Sequence, residues 1–365
     1  MLVDRYVLDI SRLIVRSISG RQPTGVDNVV LGYLENLKKE KVLYFRYLFL
    51  QVIFTKSAQS YILKKVLQKQ KISFLVLVGI IFSSLFEIAK YRKNKADYFL
   101  NLGHYNLDKH WMFGEMKKIA HKTAVLIHDL IPITHPKYTS DKEQKKHKLR
   151  IINSAKFSNK IFFVSNETKN QFIKYSKENG INVTASLYVV KSASHKKFKL
   201  SENRDHYLMV GTIEPRKGYK EILKLWKNKK ISYSLVIIGQ KGWMCGDEIK
   251  LIEELKSQGL IKWEKSCSDS KLDDYYSRSF ALIQNSYYEG YGLPVLEAIN
   301  NGLRVYARDI SALSEFDENS IIKYKHIDGL YRLIKDNHLL DKQISFQNQR
   351  TWREASSELE ALLLL

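Results

Sequence analysis

Apolar residues follow two alternating rhythms along this chain of 365 residues. Short runs rich in β-branched and aromatic side chains read as strands, and between them lie segments in which apolar positions recur every three or four residues, the signature of helices. In the first half, "RYVLDIS" (5–11), "VLYFRYLFLQVIF" (42–54), "ADYFLNL" (96–102), "TAVLIHDLI" (123–131) and "KIFFVS" (160–165) read as strands. "GVDNVVLGYLENLKK" (25–39) and "SDKEQKKHKLRIINSAKFS" (140–158) read as helices. The second half repeats the rhythm: strands at "HYLMVGT" (206–212), "YSLVIIG" (233–239), "LIKWEK" (260–265) and "FALIQNS" (280–286), helices at 218–228 and 246–259. Alternation of this kind predicts parallel sheets covered on both faces, and the chain length suits two such domains. The polar stretch 191–206 breaks the pattern and marks the junction. The expected division is 1–195, 196–348 and a terminal segment 349–365, whose "TWREASSELEALLLL" reads as a helix with Trp352 as a packing anchor.

One run does not fit the rhythm. "ISFLVLVGIIFSSLF" (72–86) holds 15 residues without a charge, short of the roughly 18 to 20 that a spanning helix needs. A buried strand or helix is the leading expectation, an apolar surface dipping into an interface the second, and a true span the last. Lysines and arginines flank it on both sides.

Charge sharpens the two-part division. Residues 1–200 hold 36 Lys and Arg against 14 Asp and Glu, so the whole formal charge of +22 lies there and the remainder is neutral. A basic half fits an anionic partner such as a membrane surface or a phosphate-linked lipid. Nucleic acid would need a groove-entering or stacking module, and none is visible, so no nucleic-acid partner is expected. The two cysteines support neither a disulfide framework nor a zinc cluster. Asp4 and Asp9 interrupt the first apolar stretch, which therefore does not read as a leader; a cytoplasmic location is expected.

Open parallel sheets bind ligands beyond the carboxyl ends of their strands, so chemistry is sought in the loops there. After "HYLMVGT" comes "IEPRKG", where Arg216 and Lys217 sit side by side, a pairing suited to a diphosphate. After "FALIQNS" comes "YYEGYGLPVLEA". Gly290 and Gly292 allow close backbone approach, and Pro294 suits a first helical turn, which predicts a helix N-terminus beside an anion. Glu289 and Glu297 fall before and within that helix, placed to accept hydrogen bonds from hydroxyls rather than to touch phosphate. No Asp-x-Asp occurs, so no metal is expected.

In this order, "VGTIEPRKG", "IIGQKGW" and "NSYYEGYGLPVLEAINNGLRVYARDISALSEF" strongly resemble the second domain of retaining nucleotide-sugar glycosyltransferases of family 4 (glycosyl transferases group 1). "RQPTGVDNVVLGYLENL", "NLGHYNLD", "VLIHDLIPITHPKY" and "VSNETK" resemble the first domain of its bacterial surface-polysaccharide members. The resemblance implies an α/β GT-B fold, two facing Rossmann-like domains with the active-site cleft between them. It implies that Arg216 and Lys217 hold the donor diphosphate and Glu289 the transferred sugar, with His128 facing that sugar as a further catalytic group. Donor contacts would come from Gly25, Gly211, Ser268, Leu272, Gly290, Tyr291, Gly292, Leu293 and Glu297, the last at the ribose. Thr24, His104 and Asp129 are candidates for acceptor or sugar contacts, though Asp129 and His135 also read as loop structure.

The expectation is therefore a metal-independent hexosyltransferase that needs no cofactor beyond a GDP- or UDP-linked sugar as co-substrate. Its acceptor would be a growing, lipid-linked glycan of O-antigen, capsule or exopolysaccharide synthesis. It would work on the inner face of the cytoplasmic membrane, which the basic first domain would touch. The alternative is a non-catalytic scaffold of the same fold.

Overall fold

The computed structural model describes residues 5–194, 197–229, 231–336 and 350–365. It divides into two compact units, one made of Met1–Ile133, Asp141–Ala193 and Thr351–Leu365, the other of Thr134–Ser140 and Ser194–Arg350. The domain ends expected at 195/196 and 348/349 lie outside the described residues.

The first unit is built on seven strands: β1 (Arg5–Asp9), β2 (Glu40–Tyr47), β3 (Leu50–Ile53), β4 (Ala96–Asn101), β5 (Ala120–Ile127), β6 (Lys160–Phe163) and β7 (Ser186–Val189). Their order in the sheet is β3-β2-β1-β4-β5-β6-β7. All pairs are parallel except β2 with β3. This corrects the expected single strand 42–54. The chain folds back at Leu48 and Phe49, both exposed, with Leu48 at a φ of 53°. A continuous apolar run carries no mark of a two-residue turn when the turn residues are themselves apolar.

The second unit has six strands: β8 (His206–Val210), β9 (Ser234–Ile238), β10 (Ile261–Glu264), β11 (Ser279–Gln284), β12 (Val305–Arg308) and β13 (Ile321–Tyr324). Their order is β10-β9-β8-β11-β12-β13, and every pair is parallel. Strands covered by helices on both faces bury almost every side chain, as in β6 and β8. In each sheet the strand order reverses direction beside the first strand: between β1 and β4, and between β8 and β11. The crevice beyond the carboxyl ends at such a point is where parallel sheets take ligands.

The stretch 72–86 is not a buried strand or helix. It contains an exposed helix, Phe74–Ser84, in which only Leu77 and Ser84 are buried. A second helix, Glu87–Lys93, follows at a bend of 43°. Among the described residues no single helix is long and apolar enough to cross a membrane.

The terminal helix Trp352–Leu364 packs in the first unit. Thr351 and Glu354 close its first turn as a capping box, the Thr351 amide donating to the Glu354 carboxylate at 2.7 Å. Glu360 accepts from the amides of Lys38 and Lys39 at 2.9 and 3.0 Å, and Lys160 donates to the carbonyl of Leu362 at 2.6 Å. Trp352 is buried and meets the Tyr33 ring edge-on at 5.2 Å. Its indole lies over Gly32, where a Cβ would fall 2.2 Å from the ring. Gly32→Ala is therefore expected to push the indole out and loosen the terminal helix, at a cost of about 1–3 kcal/mol. Hydrogen exchange at 352–364 checks this: the helix amides should lose protection while the β8–β13 sheet keeps its own.

Candidate functional site

The reversal point of the second sheet carries the charged cluster. After β8 the chain makes a tight turn, Pro215–Lys217, with the Lys217 amide donating to the carbonyl of Glu214 at 3.0 Å. Gly218 then adopts a left-handed conformation, φ 67°. Only glycine fits there, since a Cβ would lie 2.4 Å from the carbonyl oxygen of Asn285. That contact brings the end of β11 against the turn and sets Glu289 beside both cations.

Glu289 accepts from Arg216 Nη1 at 3.2 Å and forms a short ion pair with Lys217 Nζ. Gln284 and Ser286 each donate to its Oε1 at 2.7 Å. Arg216 also donates through Nε to Glu214 at 2.9 Å and through Nη1 to the carbonyl of Tyr288 at 3.0 Å. The side chains of Lys217 and Glu289 are 11% and 8% exposed, so these charges are largely out of water. Burial pushes the Glu289 carboxyl up, but Lys217 and Arg216, with hydrogen bonds from Lys217 and Ser286, outweigh it and hold it down at about 2. Burial, with Arg216 beside it, lowers the Lys217 ammonium against the pull of Glu289. Gly211, at the end of β8, lies against Lys217, a Cβ there being 3.7 Å from Lys217 Cε.

Polar groups around the cluster fix this geometry. Asn285 donates to the carbonyl of Gly218 at 2.8 Å and to Glu221 at 3.0 Å. Its oxygen accepts from Arg308 at 3.0 Å and from Tyr324 at 2.8 Å. Tyr219 donates to the carbonyl of Gly211 at 2.8 Å. The expected helix after the glycines is Leu293–Ile299, seven residues long, with Gly292 left-handed at its start and Pro294 in its first turn. Gly290 is half-buried and Leu293 likewise, whereas Tyr291 is buried against Phe316 at 5.1 Å.

Glu297 takes its contacts elsewhere. It accepts from the Tyr276 hydroxyl at 2.8 Å, and burial together with Glu297 raises that phenol well above its ordinary value. Tyr276 belongs to the helix Asp269–Ser277, whose N-cap is Ser268. The Ser268 hydroxyl accepts from the Lys271 amide at 3.2 Å, and Leu272 is half-buried one turn in. One helix thus links the Ser268, Leu272 and Glu297 positions.

In the first unit the candidates lie beyond β4 and β5. His128 Nε2 is 2.7 Å from the carbonyl of Leu102, which can only accept, so that nitrogen carries the proton. The His128 amide donates to His104 Nε2 at 3.2 Å, which places the His104 proton on Nδ1. His147 Nε2 donates to the carbonyl of Asp129 at 3.0 Å. The rings of His128 and His147 lie 4.9 and 5.8 Å from that of His104. Burial lowers all three imidazoles below their ordinary value. His104 thus lies close to two other histidines, and buried imidazoles lowered in this way are neutral hydrogen-bonding groups near pH 7, not cations. The Asp129 carboxylate accepts from the Ile131 amide at 3.0 Å and so shapes its own loop. His135 belongs to the second unit and stacks there on the ring of Tyr288 at 3.3 Å.

Thr24 and Gly25 open the helix Gly25–Asn36, where Thr24 and Asp27 form a capping box. Asp27 is wholly buried and also receives Arg12 at 2.7 Å and Arg16 at 3.0 Å. At the reversal point itself, Asp9 accepts from the Ser11 amide and from Asn101 Nδ2, both at 2.9 Å. Burial pushes Asp9 up to about 6 in spite of the Ser11 bonds and the Arg46 charge. Sequence reading missed His147, Asp27, Asn101 and Asn285. The Arg12–Arg16 spacing of one helical turn was a usable signal for Asp27, whereas nothing local ties His147 to His104.

Comparison with known proteins follows the same division. Residues 190–335 match the family model of glycosyl transferases group 1. The serotype-specific mannosyltransferase WbdA of Escherichia coli is 28% identical over 217 residues, 52% of this chain and 26% of that protein. The O-antigen chain mannosyltransferase B of Escherichia coli is 24% identical over 253 residues, 65% of this chain and 64% of that one. The chain thus spans about a quarter of the first relative and somewhat under two thirds of the second. Among solved structures, HepE of Anabaena in complex with UDP and glucose superposes with a TM-score of 0.66 at 12% identity, covering 98% of this chain and 95% of that one. The lipopolysaccharide outer core galactosyltransferase WaaB gives 0.58 at 13% identity, covering 99% and 100%. These likenesses show the fold: two parallel-sheet α/β domains of the GT-B type.

The depressed Glu289 carboxyl carries a stability consequence. A carboxyl held at about 2 in the folded chain, against an ordinary 4.5, stabilises the fold above pH 4.5 and loses that contribution as pH falls toward 2. The contribution is on the order of 3 kcal/mol. Denaturant midpoints of the second unit should hold between pH 7 and 5 and drop below pH 4.5. Glu289→Gln should start lower at pH 7 and lack this part of the drop.

Proposed function

We propose that this protein transfers a hexose from a nucleoside-diphosphate sugar to a growing glycan of surface-polysaccharide synthesis. The observation that carries the reading is the buried Arg216–Lys217–Glu289 cluster at the reversal point of the second sheet. The names of the matched mannosyltransferases favour mannose as the sugar. The solved neighbour holding UDP and glucose supports a nucleotide sugar as donor.

The chemistry follows from the charges. Breaking a glycosyl-phosphate bond leaves negative charge on the departing diphosphate, and preorganised cations there stabilise the transition state more than the ground state. Arg216 and Lys217 take that role. Glu289 pairs with both and Glu214 with Arg216, and an arriving diphosphate would compete for the same donors, freeing carboxylate oxygen for hydroxyls of the sugar. Two cations beside the phosphates do the work that a carboxylate-held metal would otherwise do, so the reading is metal-independent. Glu297 with Tyr276 would meet the ribose.

His128 and His104 stay neutral near pH 7 and serve as hydrogen-bonding groups in the first unit. Transfer with retention, a lipid-linked acceptor and work at the inner membrane face complete the proposal. Retention would follow from the departing phosphate accepting the acceptor's proton on the same face.

Lys217→Ala and Glu289→Ala are each expected to lower transfer by roughly 100 to 1,000-fold. The assay is release of nucleoside diphosphate from a panel of GDP- and UDP-sugars, begun with GDP-mannose and paired with thermal shift for donor binding. Transfer should persist in EDTA. Full activity in either alanine variant would sink the assignment, and nucleotide binding without turnover would favour the scaffold.

A further inference from the structure

The first unit carries an apolar face that the catalytic reading does not use. In the helix Phe74–Ser84, Phe74, Leu75, Val76 and Phe82 are exposed, and Phe86 just beyond it is 84% exposed. Leu75, Gly79 and Phe82 recur at four and three residues and share one side of the helix. A contiguous apolar face of this kind on a soluble surface marks an interaction site.

The surroundings decide what would cover it. Residues 56–95 contain nine Lys and Arg and a single acidic residue, Glu87. The cations flank the helix and are absent from it: Lys64, Lys65, Lys69 and Lys71 before, Lys90, Arg92, Lys93 and Lys95 after. Beside its start lies a cavity of about 90 Å³ whose lining includes Arg16, Arg21, Lys69 and Lys71. Asp27 in that lining already receives Arg12 and Arg16. From Lys71, in the cavity's lining, to Phe74, at the start of the helix, the chain reaches at most about 11 Å.

We propose that this face docks on an anionic phospholipid bilayer. The helix lies in the interfacial plane with Leu75, Phe82 and Phe86 among the acyl chains, and the cavity receives a headgroup phosphate. Eleven residues span about 16 Å as a helix, too short to cross a bilayer and suited to lying along it. The basic flanks meet the negative surface while the apolar centre leaves water. A second copy of the chain on the same face would bring two basic rims together, which disfavours self-association. The inference deepens the proposed function, because a lipid-linked acceptor would be presented at that surface, yet it is tested apart from it.

The test is co-sedimentation of the full chain with vesicles of phosphatidylcholine alone or mixed with phosphatidylglycerol, at low and high salt. Binding is expected to the mixed vesicles only and to weaken with salt. Gly79→Asp and Phe82→Asp should each lower the bound fraction about tenfold or more. Lys69→Gln or Lys71→Gln should lower it about fivefold per lysine. A Cβ at Gly79 meets nothing within 4 Å, so Gly79→Asp should keep the parent melting temperature and donor-induced thermal shift, and Gly79→Ala should bind vesicles like the parent. Parent-like vesicle binding by Gly79→Asp, or equal binding to neutral vesicles, overturns the proposal. So does a dimer broken by Phe82→Asp without vesicle binding, or inorganic phosphate binding without it. Loss of the parent's donor shift with vesicle binding intact would instead count against the glycosyltransferase reading alone.

Discussion

The constraint on which the second unit's site depends is that two adjacent cations cannot be buried on a turn without a carboxylate to hold them. Arg216 and Lys217 follow each other on a three-residue turn, and like charges at that spacing repel. Glu289 offsets this with one carboxylate shared between them. Removing one member of such a buried set leaves an uncompensated charge, which is costlier than the set is stabilising. The surrounding groups are therefore all oriented toward the same end. Gly218 brings the turn against Asn285, and Asn285 spends its amide hydrogens and its oxygen on Gly218, Glu221, Arg308 and Tyr324. The result is a preorganised pair of donors whose present partner is a carboxylate and whose proposed working partner is a diphosphate.

The corresponding edge of the first unit is built on the opposite principle. There the buried groups His104, His128 and His147 avoid charge, each held in one tautomer or orientation by backbone partners. A neutral imidazole gives one hydrogen bond and accepts another, which suits hydroxyl recognition, whereas the Arg216–Lys217 pair suits anions. Asp9, at the reversal point between β1 and β4, is the charged exception: burial lifts its carboxyl to about 6, still below neutral pH, and Ser11 and Asn101 donate to it.

Sequence legibility tracked how local each determinant is. The β-branched runs became strands because a parallel sheet buries both faces, and the order strand, Glu289, glycines, Pro294, helix could be read because each part acts within a few residues. Arg216 and Lys217 were visible as a pair, but their closure on Glu289, 73 and 72 positions along the chain, depends on the sheet between them and the left-handed Gly218. Glu297 was read as a hydroxyl clamp, and its Tyr276 partner, on another helix, had no local signal. Asp9 was read only as a charge interrupting an apolar segment. The hairpin at Leu48 and Phe49 was hidden because its turn residues are apolar, and periodicity resolves elements only where polarity changes.

The run 72–86 shows a different limit. Hydrophobic pattern specifies that a side chain avoids water, not what replaces the water. Fifteen uncharged residues were equally compatible with a core helix and with an exposed one, and the leading expectation chose the core. Flanking charge separates the cases. A core helix of this fold would need neighbours packed on every side, and lysines clustered at both ends would have to be carried along its edges. An exposed helix can place those same lysines in water and at an anionic surface. Of the +22 confined to the first 200 residues, the stretch 56–95 alone carries nine cations against one acid around that apolar face, whereas the cations of the proposed donor site in the second unit are held by carboxylates.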